Sequence, residues 1–353
     1  MSEAILDLQG IHKHFLSKRG EKTGVLRGVS LKVDRGSITG IIGKSGAGKS
    51  TLLRCMNLLE RPDQGHIFFE GTDLTKCSAE TLRQKRHSLG MVFQHFNLPA
   101  RRTVLENVLL PAEIAKANLG EARTAAIKIL EDLGLGEKRD HYPAQLSGGQ
   151  KQRLAIARVL SGNAKVLLCD EITSALDPET TEDILHLLRD LRERYALTII
   201  LITHEISVIR SICDHVAVID GGEIVERGTA ESIFANPTHE TTQSLLKPFL
   251  KRSIPEFIRG RLLPEPAESK AQKAVFKLTF SGNSAREPLV SQFIREAHAD
   301  VNILSGFMDQ IGSTTFGTLV IDLPNESEII EKTQAFLTRH KVSIEPLGYI
   351  SHA

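Results

Sequence analysis

Gly43-Lys44-Ser45-Gly46-Ala47-Gly48-Lys49-Ser50 stands between an apolar run, Ile38-Thr39-Gly40-Ile41-Ile42, and a stretch without breakers, Thr51-Leu52-Leu53-Arg54-Cys55-Met56. The run reads as a buried strand and the stretch as a helix, so the glycine-rich turn feeds the positive end of a helix dipole. It fits the pattern G-x-x-x-x-G-K-[ST], in which exposed backbone N–H groups surround an anion and phosphates are the natural occupant. Residues Gly43 to Thr51 then line the site, Lys49 reaching the β- and γ-phosphates and the Ser50 hydroxyl ligating Mg²⁺. Strand, loop and helix in this order predict an α/β fold.

A second glycine pair lies farther along, in Leu146-Ser147-Gly148-Gly149-Gln150. It runs into Lys151 to Leu160, a strong helix former with Lys and Arg on its polar positions, so Ser147 is set to cap another helix start suited to phosphate. Val166-Leu167-Leu168-Cys169-Asp170-Glu171 is a short apolar run closing on two acids. Central parallel strands deliver carboxylates in this way to the C-terminal edge of a sheet, where ligands bind in open α/β folds. Asp170 is expected to hold Mg²⁺ and Glu171 to polarise an attacking water.

These motifs, in this order, resemble those of the nucleotide-binding subunits of ATP-binding cassette transporters, over residues 4 to 245. The resemblance implies an α/β P-loop NTPase that uses ATP and Mg²⁺. Phe15 stands where that family stacks an aromatic, usually tyrosine, on adenine. Gln94, in Met91-Val92-Phe93-Gln94-His95-Phe96, stands where a glutamine touches Mg²⁺ and water and senses the membrane partner. Leu146 to Gln150 matches the signature that meets the ATP of a partner copy, and Asp177, in Ser174-Ala175-Leu176-Asp177, matches the loop that crosses the dimer. His204, after the apolar run Thr198 to Thr203, matches the switch histidine at the γ-phosphate. The implied catalytic set is Glu171, His204 and Gln94, and the implied Mg²⁺ ligands are Ser50, Gln94 and Asp170. One chain carries one phosphate loop and one signature, so the family pattern implies a homodimer that closes on two ATP molecules and opens when the γ-phosphate is removed. It also implies two transmembrane permease subunits as partners.

At 353 residues the chain is longer than one typical domain. A net charge of +1 with 25% charged residues supplies no basic field, which argues against nucleic acid as a partner. Cys55, Cys77, Cys169 and Cys213 are scattered without metal spacing and read as reduced thiols of a cytosolic protein. No N-terminal signal pattern is visible, and apolar runs such as Leu197 to Ile202 fall far short of the ~20 residues of a membrane span. The expected location is peripheral, on the cytoplasmic face of the cell membrane, attached through partner subunits.

Between Gln94 and Ser147 the sequence has helical periodicity and no strand signal, as expected of a helical subdomain over about 95–160. The resemblance puts the groove for a permease helix at its junction, near His95, Phe96, Asn97 and Leu98. The cassette domain is assigned to 1–246. A connector over 247–273 follows, with Pro248, Pro255, Pro264 and Pro266 among charges and one short helix near 255–262. Residues 274–353 then alternate: strand 274–281, helix 287–299, strands 301–309 and 315–323, helix 327–340, and a strand near 341–347. This βαββαβ order predicts an α+β ferredoxin-like domain with one open sheet face.

The tail, with the run Arg54 to Pro62 and the string Met91 to Leu98, resembles ATP-binding subunits of methionine importers. That family implies uptake of methionine, an extracytoplasmic methionine-binding lipoprotein as partner, and L-methionine as a regulatory ligand of the tail that shuts off import. By the resemblance, Asn302, Ile303 and Met308 are the candidates for its pocket, although Ile303 and Met308 read equally as core. Import of another amino acid, or a soluble cassette ATPase without transport, remains as an alternative, and an RNA-binding tail is disfavoured because Phe316-Gly317-Thr318-Leu319 lacks a basic residue and a second aromatic.

Overall fold

The structure, a computed structural model, describes residues 4–16, 22–251, 256–266, 272–285, 287–311 and 314–351. They fall into two compact units, 1–229 and 230–353.

The first unit holds two sheets. Strands β1 (Ala4–Leu16), β2 (Lys22–Asp34), β4 (Gln64–Phe69) and β5 (Thr72–Asp73) form an antiparallel sheet in the order β2-β1-β4-β5. Strands β3 (Ile38–Ile42), β6 (Leu89–Val92), β7 (Val166–Asp170), β8 (Thr198–Ile202), β9 (His215–Asp220) and β10 (Glu223–Thr229) form the other, ordered β10-β9-β3-β8-β7-β6. All of its pairs are parallel except β9 with β10. Every residue of β3, β7 and β8 is buried, which is why these strands read as unbroken apolar runs rather than alternating ones. Helix α1 (Lys49–Met56) lies between the sheets: Leu52, Leu53 and Met56 share one buried cluster with Leu6, Leu8 and Leu26 on one side and Ile41, Leu168 and Ile200 on the other.

Ile202 is in register with both Ile41 and Asp170, so β3, β8 and β7 end level with one another. The turn after β3, the acids after β7 and the loop after β8 therefore meet at one sheet edge. Helix α2 (Ala79–Ser88) precedes β6, while α6 (Pro178–Tyr195) and α7 (Ile206–Ile212) flank β8.

Helices α3 (Val104–Ala115), α4 (Leu119–Asp132) and α5 (Gly148–Leu160) fall in the stretch that the sequence reads as helical. Each has its own start signal. Thr103 with Glu106 and Ser147 with Gln150 close reciprocal capping boxes, and Asn118 accepts from two N–H groups of α4.

The second unit begins with α8 (Ala230–Ala235), α9 (Glu240–Lys251) and α10 (Glu256–Arg259). Strands β11 (Gln272–Ser281), β12 (Asn302–Ile311), β13 (Thr314–Pro324) and β14 (Ser343–Ser351), with helices α11 (Leu289–Ala297) and α12 (Ser327–Arg339), follow the expected βαββαβ order. Their sheet is antiparallel throughout, in the order β12-β13-β11-β14. Phe276, Leu278, Phe280 and Ile321 pack with Phe293 and Phe336 of the two helices. The opposite face, which the sequence predicts to be open, is partly covered. Leu262 packs on Val275, Val320 and Ile350, and Leu263 pairs backbone to backbone with Tyr349. No helix among the described residues is long and apolar enough to cross a membrane.

Candidate functional site

The turn after β3 needs glycine on steric grounds. Gly48 has φ of 102°, and a Cβ there would lie 2.9 Å from the Val25 carbonyl oxygen. The turn opens into a cleft of about 760 Å³ lined by Ser45, Gly46, Gly48, Lys49, Ser50 and Thr51, with Phe15 and Val25 at one side and Glu171 and His204 at the other. Gly43, Lys44 and Ala47 belong to the same turn without lining the cleft; Gly43 is pressed against Ile219 and Ala47 is buried.

Lys49 is folded onto its own loop, donating to the carbonyls of Gly43 at 2.9 Å and Lys44 at 3.0 Å. Burial pushes its pKa below the usual lysine value, while Glu171 and Asp170 pull it back up. A bound polyphosphate would supply the charge this ammonium lacks. The Ser50 hydroxyl donates to Asp170 at 2.8 Å, so the two oxygens assigned to Mg²⁺ are already side by side. Hydroxyl and carboxylate oxygens of this kind suit a small hard cation that also binds phosphate. Gln94 stands beside this pair rather than in it: its amide donates to the Ser174 hydroxyl at 3.2 Å, and that hydroxyl donates to the Glu171 carbonyl at 2.9 Å.

Glu171 has φ of 48°, a left-handed conformation that a glutamate adopts at an energetic cost and that clusters at functional sites. It is held there because its N–H donates to the Ile202 carbonyl at 3.1 Å, across the ends of β7 and β8. The strain turns the carboxylate out of the strand line and into the cleft. His204 faces it, with Nδ1 3.6 Å from Oε1.

The loop after Gln94 is also strained. Phe96 and Asn97 have φ of 56° and 48°. Their carbonyls accept from Arg158 of α5 at 3.2 and 2.7 Å, and burial lowers the pKa of that guanidinium. Residues 94–98 thus tie the sheet to the helical subdomain. None of them lines the neighbouring cleft of about 340 Å³, whose walls include Arg86, Met91, Leu110, Pro111, Ile114 and Arg158 itself.

Ser147 caps α5, accepting from Gln150 N–H at 3.3 Å, while its own N–H donates to the Gln150 side chain at 3.0 Å. Ser147 and Gly148 are exposed, and none of Leu146 to Gln150 lines the cleft of their own chain. Gly149 is buried; a Cβ there would sit 2.5 Å from Thr180 of α6, so the two helices pack tightly at the signature. Asp177 caps α6 by accepting from the Thr180 N–H at 2.9 Å and its hydroxyl at 2.7 Å, and those bonds lower its pKa.

In the second unit the three candidate residues do not come together. Asn302 is in register with Asp322, whereas Ile303 and Met308 are in register with Ile321 and Gly317. A bulge between Ile303 and Ser305 shifts the alternation by one, so Ile303 and Met308 share the helix-covered face and Asn302 the other. Ile303 and Met308 are 53% and 52% exposed on the edge strand, so neither is core. Asn302 donates to Asp322 at 3.3 Å; Asp322 is fully buried and also accepts from Lys273 at 2.8 Å. Neither Asp322 nor Lys273 carries a sequence signal, since each looks like an ordinary polar strand position.

A phosphate loop after a central strand of a largely parallel sheet, an acid pair at the end of the next strand but one and a capped serine-glycine helix start outside the cleft define an ATP-binding cassette. The ABC transporter family model matches residues 26–174, and the NIL domain model matches residues 274–346. The methionine import ATP-binding protein MetN of Photobacterium profundum is 46% identical over 98% of this chain and 100% of its own, and that of Haemophilus influenzae 45% identical over 94% and 95%. The chain belongs to this family of methionine import ATP-binding proteins. Among solved structures it resembles the dimeric post-hydrolysis state of the cassette MJ0796 bound to ADP and Pi, at 34% identity and TM-score 0.58 over 64% of this chain and 98% of that one. It also resembles cbiO1 of Clostridium perfringens, part of the transporter complex cbiONQ, at 31% identity and TM-score 0.61 over 71% and 97%.

Proposed function

We propose that the chain is the ATP-hydrolysing subunit of a methionine importer, peripheral to the membrane it serves. Relatives that match it from end to end carry that name, and both domain models fit it. The observation that carries the reading is the strained Glu171, held with His204 across one cleft from Lys49.

Phosphoryl transfer to water asks for positioning and charge neutralisation more than for covalent chemistry. The N–H groups of the phosphate loop and Lys49 hold the β- and γ-phosphates, and Phe15 with Val25 receives the base. Ser50 and Asp170, with Gln94 beside them, would hold Mg²⁺, which would supply neutralisation of the phosphate charge. Glu171 accepts the proton of the attacking water, and His204 donates to a γ-phosphate oxygen. Gln94 reports the state of the site along the Arg158-anchored loop to a permease subunit, for which the neighbouring cleft between sheet and helical subdomain is the candidate seat.

The signature lies outside its own chain's cleft, so it meets the ATP of a second copy, with Asp177 at the crossing loop. The solved dimer of a related cassette supports this arrangement. The full assembly then comprises two copies of this chain, two permease subunits and an extracytoplasmic methionine-binding lipoprotein. Domain limits of 1–246 and 274–353 are the working assignment, and the tail senses cytosolic L-methionine and slows transport. The test is Glu171→Gln. Steady-state hydrolysis is expected to fall by ~10²-fold or more, as loss of a general base usually causes, with ATP binding retained. Turnover at the wild-type rate would remove Glu171 from its role.

A further inference from the structure

Phe15 lies at a poorly supported place. β1 is in register with β4 only from Leu6 to His12, so beyond His12 the strand has β2 as its single sheet neighbour, with Phe15 opposite Thr23. A two-stranded ribbon end is marginally stable by itself, and Phe15 is 40% exposed. Yet a stacking wall for a base must hold its place relative to the phosphates.

The missing third strand is replaced by side chains. Lys13 sends its ammonium over the Phe15 ring, 5.2 Å from the centroid. The same ammonium donates to the Arg61 carbonyl at 2.8 Å and lies 3.6 Å from the Glu60 carboxylate, with the Lys13 side chain only 13% exposed. One residue on, Asp63 accepts from the His14 N–H at 2.6 Å and sits 3.1 Å from the His14 ring, while the Asp63 N–H donates to the His12 carbonyl at 2.8 Å. Residues 60–63 leave the C-terminal end of α1, where Leu58 and Glu60 still bond back to Cys55 and Arg54. The N-terminal end of that helix carries the phosphate loop.

We propose that Lys13 is a positioning residue for the nucleotide base. It clamps the Phe15 ring by a cation–π contact on one face and anchors it to the exit of α1, so that base wall and phosphate loop are both fixed to the two ends of one short helix. The base stacks on the free face. The inference rests on Phe15 being the base wall.

The test compares Lys13→Met, Lys13→Arg and Phe15→Ala in the full chain, with thermal melting as a check on folding. The Lys13→Met variant is expected to raise KM for ATP by about two- to fivefold, the size of a cation–π contact at a part-exposed ring, with kcat unchanged. Inorganic tripolyphosphate, which has no base, should compete as well as against wild type, and the Lys13→Arg variant should restore the wild-type KM. If the Phe15→Ala variant raises KM and Lys13→Met does not, the clamp is overturned while the stacking wall stands. If Phe15→Ala has no effect, the wall itself is wrong and the clamp falls with it. If Lys13→Met weakens tripolyphosphate as much as ATP, Lys13 supports the loop in general, and the base-specific role is overturned.

Discussion

The nucleotide cleft and the tail sheet are built on opposite plans. In the cleft, side chains from three strand ends and one helix converge, and the serine-aspartate pair stands in contact at 2.8 Å. A left-handed glutamate there stores strain. In the tail, the candidate residues lie on an edge strand, more than half exposed at Ile303 and Met308, and a bulge sets Met308 on the face opposite Asn302. Charge transfer at phosphorus requires preorganised polar groups before the substrate arrives.

That contrast is open to direct attack. The largest effect is expected from Lys49→Ala, which removes a buried cation with no replacement in the cleft. Nucleotide affinity should fall by about 10²-fold in an equilibrium titration, and retained affinity would break the preorganised picture of the phosphate loop. An intermediate effect separates the two faces of the tail. The Asn302→Ala variant should shift inhibition of hydrolysis by L-methionine to roughly tenfold higher concentration, through loss of a hydrogen bond to a charged ligand group. Met308→Ala, on the opposite face, should shift it by much less. The reverse ranking would move the sensing surface to the helix-covered side.

The smallest effect probes how far ion pairs hold the cassette together. Glu70 accepts from Lys165 at 2.9 Å and Arg35 at 3.1 Å, and these bonds, Lys165 first, lower its pKa despite partial burial. Its folded pKa lies below the unfolded value, so its contribution is complete above an unfolded pKa of about 4.3 and fades as pH falls through the folded one. The Glu70→Gln change should cost about 1 kcal/mol or less at neutral pH, because both cationic partners are partly exposed, and nothing in strong acid. A large loss in thermal melts at pH 7 would mean that the pairs, rather than the buried clusters around α1, carry the unit.

Legibility in the sequence followed the same division. β3, β7 and β8 are readable because burial on both faces makes them unbroken apolar runs. The β1–β2–β4–β5 sheet is not, because its strands mix His, Lys and Gly into their pattern, and several register shifts in β1 break the alternation. In the cleft, Lys49, Ser50, Asp170 and Glu171 announce themselves because phosphate and metal chemistry admits few substitutes. Val25 does not, since any small apolar residue on β2 reads the same. The left-handed turn at Glu171 depends on the Ile202 carbonyl, a contact between distant strands that no local pattern carries. In the tail, plain alternation along β12 puts Asn302 and Met308 on one face, and a single bulged residue reverses that.

The central claim is that one chain's phosphate loop works with the signature of another. A Lys49→Ala chain and a Ser147→Arg chain, each expected to be inactive in ATP hydrolysis when alone, should be mixed and their hydrolysis measured across mixing ratios. Partial recovery, greatest near equal amounts, is the predicted result, because a mixed pair contains one intact loop facing one intact signature. No recovery at any ratio, with both variants folded and able to associate, would contradict the shared site.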